Sequence, residues 1–224
     1  RYELNEYDLY AVEEAIRLAE AHDAQVTVLS VGPEDAVQGL RKGLAMGAHD
    51  AVFIESADFL ADAASSAAVL AGALRSIDPD LVLAGVETDD LGGSQVGVLV
   101  AEALGFPCVT MTIGVELVDG VAKIRRELEA GSYLNVDVPL PAVLTIQTGL
   151  NEPRYPSLKG IMAAKRKELA RVELAELAQG LAAQVETVEL QYPPPRELAQ
   201  MLEGGADAVV GELVTILREK EKVL

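Results

Sequence analysis

Apolar and polar residues run along the first 150 positions in two alternating rhythms. Leu9, Val12, Ile16 and Ala19 recur at helical spacing while Glu13, Glu14, Arg17 and Glu20 fill the other face, so residues 6–21 are predicted to form a helix with Asn5 as its cap. Residues 26–31 are a continuous, largely β-branched run closed by Gly32-Pro33, and residues 34–46 return to helical character. The cycle repeats as a strand over 51–54, an Ala-rich helix over 59–76, a strand over 81–84 and a helix over 94–104. Such alternation implies a parallel sheet covered on both faces.

After residue 107 the rhythm changes. Residues 109–118 and 121–127 flank Asp119-Gly120, a two-residue hairpin signal, so antiparallel strands are expected there, followed by one more core strand over 143–146. Residues 151–167 are a mostly polar excursion ending in a basic helical segment, and the sheet core is expected to close before it. From Glu168 the chain alternates charged and small residues, passes through Pro193-Pro194-Pro195 and ends in a helix carrying Val209, Leu213 and Ile216. The expectation is an α/β fold: a doubly wound, mostly parallel, Rossmann-like sheet with an antiparallel hairpin and an extended C-terminal arm. Its parts are a nucleotide-binding domain over 1–150, a recognition loop and helix over 151–170, and an arm over 171–224. A doubly wound sheet ordinarily opens with a strand, whereas here a helix follows Arg1 almost at once, so an initial strand is expected to precede this sequence.

Composition narrows the function classes. Half of the 224 residues are hydrophobic, enough for a sizeable core. The formal charge of -18 repels a phosphate backbone and argues against nucleic-acid binding. Apolar runs are far shorter than the roughly 20 residues that span a bilayer, and no signal-peptide pattern opens the chain, so no membrane insertion is expected. The lone Cys108 excludes an internal disulfide and any multi-cysteine metal cluster.

Residues 85–97, Gly-Val-Glu-Thr-Asp-Asp-Leu-Gly-Gly-Ser-Gln-Val-Gly, follow a buried strand and lead into a helix, the position where backbone N–H groups and the helix dipole receive a phosphate. The glycines permit close backbone approach, and Ser94 and Gln95 add neutral donors. An ordinary glycine-rich loop at a sheet edge fits the local pattern equally well, and the Lys-Ser/Thr ending of a P-loop is missing. Asp89 and Asp90 read as a solvated turn or a cap, with no metal assigned. His22 and His49 sit near helix ends, where a structural role with last-turn carbonyls is the better reading, and no catalytic triad can be argued. Tyr7, near the nucleotide-binding edge, has a ring suited to packing on a flat ligand ring, although a partly buried surface aromatic is the commoner role of such a residue. Residues 151–167 hold five basic residues against one acid, with Leu158, Ile161 and Met162 between the charges. Solvation of a helix face is the plain account of the charges, but an apolar anchor ringed by cations suits transient docking on an acidic partner.

The run Leu150-Asn151-Glu152-Pro153-Arg154-Tyr155-Pro156-Ser157-Leu158-Lys159-Gly160-Ile161-Met162-Ala163-Ala164-Lys165 resembles the signature segment of electron transfer flavoprotein beta subunits. Residues 5–15, Gly43-Leu44-Ala45-Met46-Gly47-Ala48, Gln95-Val96-Gly97 and Pro141-Ala142-Val143 support the likeness, which covers about residues 3–170 closely. The resemblance implies an adenine-nucleotide alpha-hydrolase-like fold and a heterodimer with an alpha subunit, which holds most of the redox-active FAD. It implies AMP bound by Asn5, Glu6, Tyr7 and Asp8, by Val31, and by Leu91, Gly92, Gly93, Ser94, Gln95, Val96, Gly97 and Val98. It places Tyr7 beside the flavin and makes Leu158, with Lys159, Ile161, Met162, Lys165 and Arg166, the surface that docks acyl-CoA dehydrogenases. Electrons would pass on to a quinone oxidoreductase, with the chain an electron carrier lacking catalytic residues, cytoplasmic in a bacterium or in the mitochondrial matrix of a eukaryote.

This sequence departs from the family pattern at Glu129-Ala130-Gly131-Ser132-Tyr133-Leu134, which loses one glycine and a later acid, and in the acidic run at 88–93. Within the family, the alternative is a bifurcating form with a second FAD in place of AMP. From other classes, the alternatives are a stand-alone nucleotide-hydrolysing or adenylating enzyme, against which the absence of Lys and His from residues 85–97 counts, and a homodimeric nucleotide sensor, which leaves the basic segment around Leu158 unexplained.

Overall fold

A computed structural model of the chain describes residues 3–56, 62–177, 185, 188, 189, 191–195 and 199–224, which fall into two units, 1–187 and 188–224. In the first unit, helix α1 (Glu6–His22) precedes strand β1 (Thr27–Gly32), helix α2 (Val37–Met46) and strand β2 (Asp50–Glu55). Then come α3 (Ala63–Ile77), β3 (Leu81–Gly85) and α4 (Val96–Leu104). The fold is α/β with parallel strands and flanking helices, as the alternating rhythm predicts. The expected start of α3 at 59–61 lies outside the described residues.

The strands form two sheets, β1-β2-β8 and β3-β7-β4-β5-β6, where β4 is Cys108–Val118, β5 Val121–Glu127, β6 Tyr133–Pro139, β7 Ala142–Ile146 and β8 Ala170–Glu173. The first sheet is parallel throughout, and β7 pairs in parallel with both β3 and β4. The β4–β5–β6 meander is antiparallel, and its first turn has Asp119 and Gly120 both at positive φ (50° and 77°), the two-residue geometry that the Asp-Gly pair announces.

The two-residue period of a strand sorts side chains between layers. On β7, Ala142, Leu144 and Ile146 join Ala11 of α1 in one cluster, while Thr145 faces Gly97 of α4. On β2, Ala51 and Phe53 pack with Leu40 and Leu44 of α2, and Ile54 packs with Val69 and Ala73 of α3. Helices α1 to α4 therefore cover the sheets, and strand ends are left to carry loops.

Two expectations change. The sheet does not close before residue 151: after the excursion, β8 returns and pairs in parallel with β2, with Arg171 bridging Glu34 and Glu55 across the edge. Four residues are too few to show a period, which hides this strand in the sequence. Strand β6 is also unanticipated, although Leu134, Val136 and Val138 alternate with Asn135 and Asp137, and Val138 is buried. In the second unit, helix α6 (Ala206–Thr215) continues into a π-helical turn, Ile216–Lys220, near the expected terminal helix.

Candidate functional site

The loop after β3 is tied to the first turn of α1. Asp8 Oδ1 accepts the Gly85 N–H at 2.7 Å. The Asn5 amide donates to the Glu87 carbonyl at 2.8 Å and accepts the Asp89 N–H at 3.0 Å. Asp89 Oδ2 in turn accepts the Glu6 N–H at 3.1 Å, so a loop carboxylate serves the free amides at the helix start. Asn5 occupies the N-cap position without making a side-chain cap bond, because its amide is spent on the loop and on Asp8, and the sequence-based capping role passes to Asp89.

Glu87 sits at the centre of this contact. Its Oε1 accepts from the Tyr7 hydroxyl at 3.0 Å and its Oε2 from Ser94 Oγ at 2.9 Å. The hydrogen bond to Glu87 holds the Tyr7 phenol above its ordinary pKa. Burial pushes the Asp8 carboxyl up, partly offset by the bonds from Gly85 and Asn5. In the chain by itself the Ser94 hydroxyl donates to this carboxylate.

The loop and the start of α4 add backbone donors. Helix α4 starts at Val96 with no side-chain cap from Gln95, so the Val96, Gly97 and Val98 amides have no partner within the helix. The glycines divide by role. A Cβ at Gly85 would lie 2.8 Å from Tyr7 Cβ and one at Gly97 2.7 Å from Thr145 Cγ2, so both serve protein packing, whereas nothing lies within 4 Å of a Cβ on Gly92 or Gly93. Leu91 beside them is 69% exposed. Val31 stands near the carboxyl end of β1, packed with the Ile54 cluster. The donor set fits a phosphate: helix-start amides without an intrahelical partner, preceded in the chain by an open diglycine.

The basic segment forms a second site. Helix α5 (Leu158–Arg166) is capped by Ser157, whose Oγ accepts the Gly160 N–H at 3.0 Å, and it packs on α2 through the buried Ala164. Leu158 is 78% exposed; Lys159, Ile161, Met162, Lys165 and Arg166 are exposed with it, and Tyr155 beside them is 98% exposed. Apolar side chains and cations thus share one surface, as the sequence pattern predicts.

Sequence reasoning missed the residues that hold this segment. Glu13 and Glu14, assigned to a polar face, are buried, because residues 151–154 lie over them. His49 also differs from expectation: its Nδ1 accepts the Val26 N–H at 3.0 Å instead of meeting last-turn carbonyls. Among the described residues no group of His, Cys, Asp and Glu has a metal-holding arrangement, and no helix is long and apolar enough to cross a membrane.

The model of the electron transfer flavoprotein domain matches residues 1–177. An electron transfer flavoprotein subunit beta from Bacillus subtilis (strain 168) is 39% identical over 226 residues, covering 99% of this chain and 88% of that one. The corresponding subunit of Methylophilus methylotrophus is 36% identical, covering 97% and 86%, and that of Syntrophomonas wolfei 37%, covering 98% and 85%. With the match spanning both the loop at 85–97 and the segment at 151–167, this chain belongs to the electron transfer flavoprotein family.

Proposed function

We propose that this chain is the beta subunit of a heterodimeric electron transfer flavoprotein, an electron carrier of the cytoplasm. It receives electrons from acyl-CoA and related dehydrogenases on an FAD shared with an alpha subunit and delivers them to a quinone oxidoreductase. The observation that carries the reading is the joining of α1 to the loop at 85–97, which links Tyr7 through Glu87 to Ser94, two residues before α4, within a chain that matches this family over residues 1–177.

In this reading the Val96, Gly97 and Val98 amides hold the AMP phosphate, and Gly92 and Gly93 admit it without a side chain in the way. Asn5 and Asp8 keep the loop against α1. Tyr7, its hydroxyl already donated to Glu87, offers a fixed ring face to the flavin. A bound flavin supplies the redox chemistry, and the chain's contribution is position and electrostatics. Leu158, Ile161 and Met162 form the apolar anchor for the dehydrogenase, with Lys159, Lys165 and Arg166 steering an acidic partner surface.

The test is to co-express the chain with its alpha partner, denature the purified complex and quantify the released nucleotides by chromatography. One FAD and one AMP per heterodimer is the expected result. Two FAD would replace AMP by a second flavin and indicate bifurcation, and no flavin would overturn the reading.

A further inference from the structure

The polar face of α1 is committed to one short stretch of chain. Arg154 Nε lies 2.9 Å from Glu13 Oε2, and the Arg154 N–H donates to the same oxygen at 3.1 Å. Its two terminal nitrogens reach Glu20 at 2.6 and 3.1 Å. Glu13 is 2% exposed and also accepts from Arg17 Nε at 2.6 Å. One turn away, Asn151 Nδ2 donates to the Tyr10 carbonyl and to Glu14 Oε2.

The far end of the segment is seated independently. Arg41 of α2 donates to the carbonyls of Ala164 and Lys167, and a Cβ on Gly160 would stand 2.5 Å from the Ala45 carbonyl oxygen. Between the two seats lie Tyr155 and Leu158, the most exposed of the apolar side chains in this stretch.

An ion pair with one carboxylate buried is a weak stabiliser, because desolvation of that carboxylate offsets much of the attraction. Its planar, multidentate geometry does something an apolar pair cannot: it fixes the orientation of the backbone at 154, one residue before the exposed set.

We propose that the Glu13–Arg154–Glu20 clamp is a positioning device that presents Tyr155 and Leu158 in a docking-ready arrangement to the dehydrogenase. The proposal rests on the reading of this segment as the dehydrogenase-docking surface. Residues ordered before encounter need not be ordered during it, so the clamp acts on the half-saturating concentration of the heterodimer and leaves the redox step alone.

The experiment follows flavin reduction in the intact heterodimer by an acyl-CoA dehydrogenase over a range of heterodimer concentrations. Arg154→Met is expected to raise the half-saturating concentration about tenfold, the scale of one lost anchor. The maximal rate should stay within about twofold and the bound flavin and nucleotide should be unchanged. Arg154→Lys, which keeps one charge contact and loses the fork, should fall between, and Arg154→Met should add little in a Leu158→Ala background. An Arg154→Met heterodimer with unchanged half-saturation, in the face of a raised value for Leu158→Ala, overturns the clamp while leaving the docking surface standing. A Leu158→Ala variant with no effect overturns the docking surface itself. Should Arg154→Met fail to assemble, Glu20→Gln on the exposed side of the clamp decides: a raised half-saturating concentration supports the proposal and an unchanged one overturns it.

Discussion

The Tyr7 hydroxyl donates to Glu87 Oε1 at 3.0 Å, and the same carboxylate accepts from Ser94, so one acid joins the first turn of α1 to the loop ahead of α4. The Tyr7 phenol is raised by that hydrogen bond first, and its protonated form is the one that donates. With the folded value above the unfolded one, the bond's contribution is full below the ordinary tyrosine pKa and is lost as pH rises through the raised value. In an ultraviolet difference titration Glu87→Gln should return one tyrosine to an earlier transition; superimposable titrations would argue against the coupling.

The Glu13 carboxyl responds to acid in the opposite sense. Burial pushes it up, but hydrogen bonds from Arg154 and Arg17 more than offset this and leave it below the ordinary carboxylate range. The stability it contributes is complete above that range and is lost as pH falls through the lowered value. Urea midpoints measured from about pH 6 down to about pH 3 should fall less steeply for Arg154→Met than for the parent, since unfolded carboxylates titrate in that interval.

Gly160 has no room for a methyl group, because its Cβ would meet the Ala45 carbonyl oxygen at 2.5 Å. Backbone cannot yield as a side-chain tip does, so Gly160→Ala should push α5 off α2 and cost about 1–3 kcal/mol in a denaturant melt. A variant as stable as the parent would show that the two helices separate without penalty.

Thr112 is fully buried in β4, beside the register shift that follows Val109, and its Oγ1 has no hydrogen-bond partner. Valine keeps the shape and removes the unsatisfied group. Thr112→Val is expected to stabilise the protein by about 1 kcal/mol, read as a higher urea midpoint with an unchanged slope.

Ala130 adopts φ 56° in the turn before β6, where a Cβ is disfavoured. Ala130→Gly relieves that cost and loses part of the gain to the more flexible unfolded chain, leaving a net stabilisation of about 0.5 kcal/mol. Thermal melting at matched concentration checks the sign.

The alternation of β-branched runs with helical periodicity was enough to establish the α/β class and most element positions, since each element's burial pattern follows from its own local period. The Asp119-Gly120 turn was legible for the same reason: its two residues carry the backbone preference that the hairpin needs. The basic, apolar-studded segment around Leu158 and the glycine loop at 92–93 were likewise local patterns, visible as candidates before any fold existed. Long-range pairing was not. Strand β8 has four residues and acquires its identity only by lying beside β2. Glu13 reads as a solvent-facing helix residue until Arg154, 141 positions away in sequence, covers and neutralises it. Asn5 reads as a cap until Glu87 and Asp89 claim its amide. In each case the deciding free energy belongs to a contact between distant segments, and no local period encodes which distant partner will supply it.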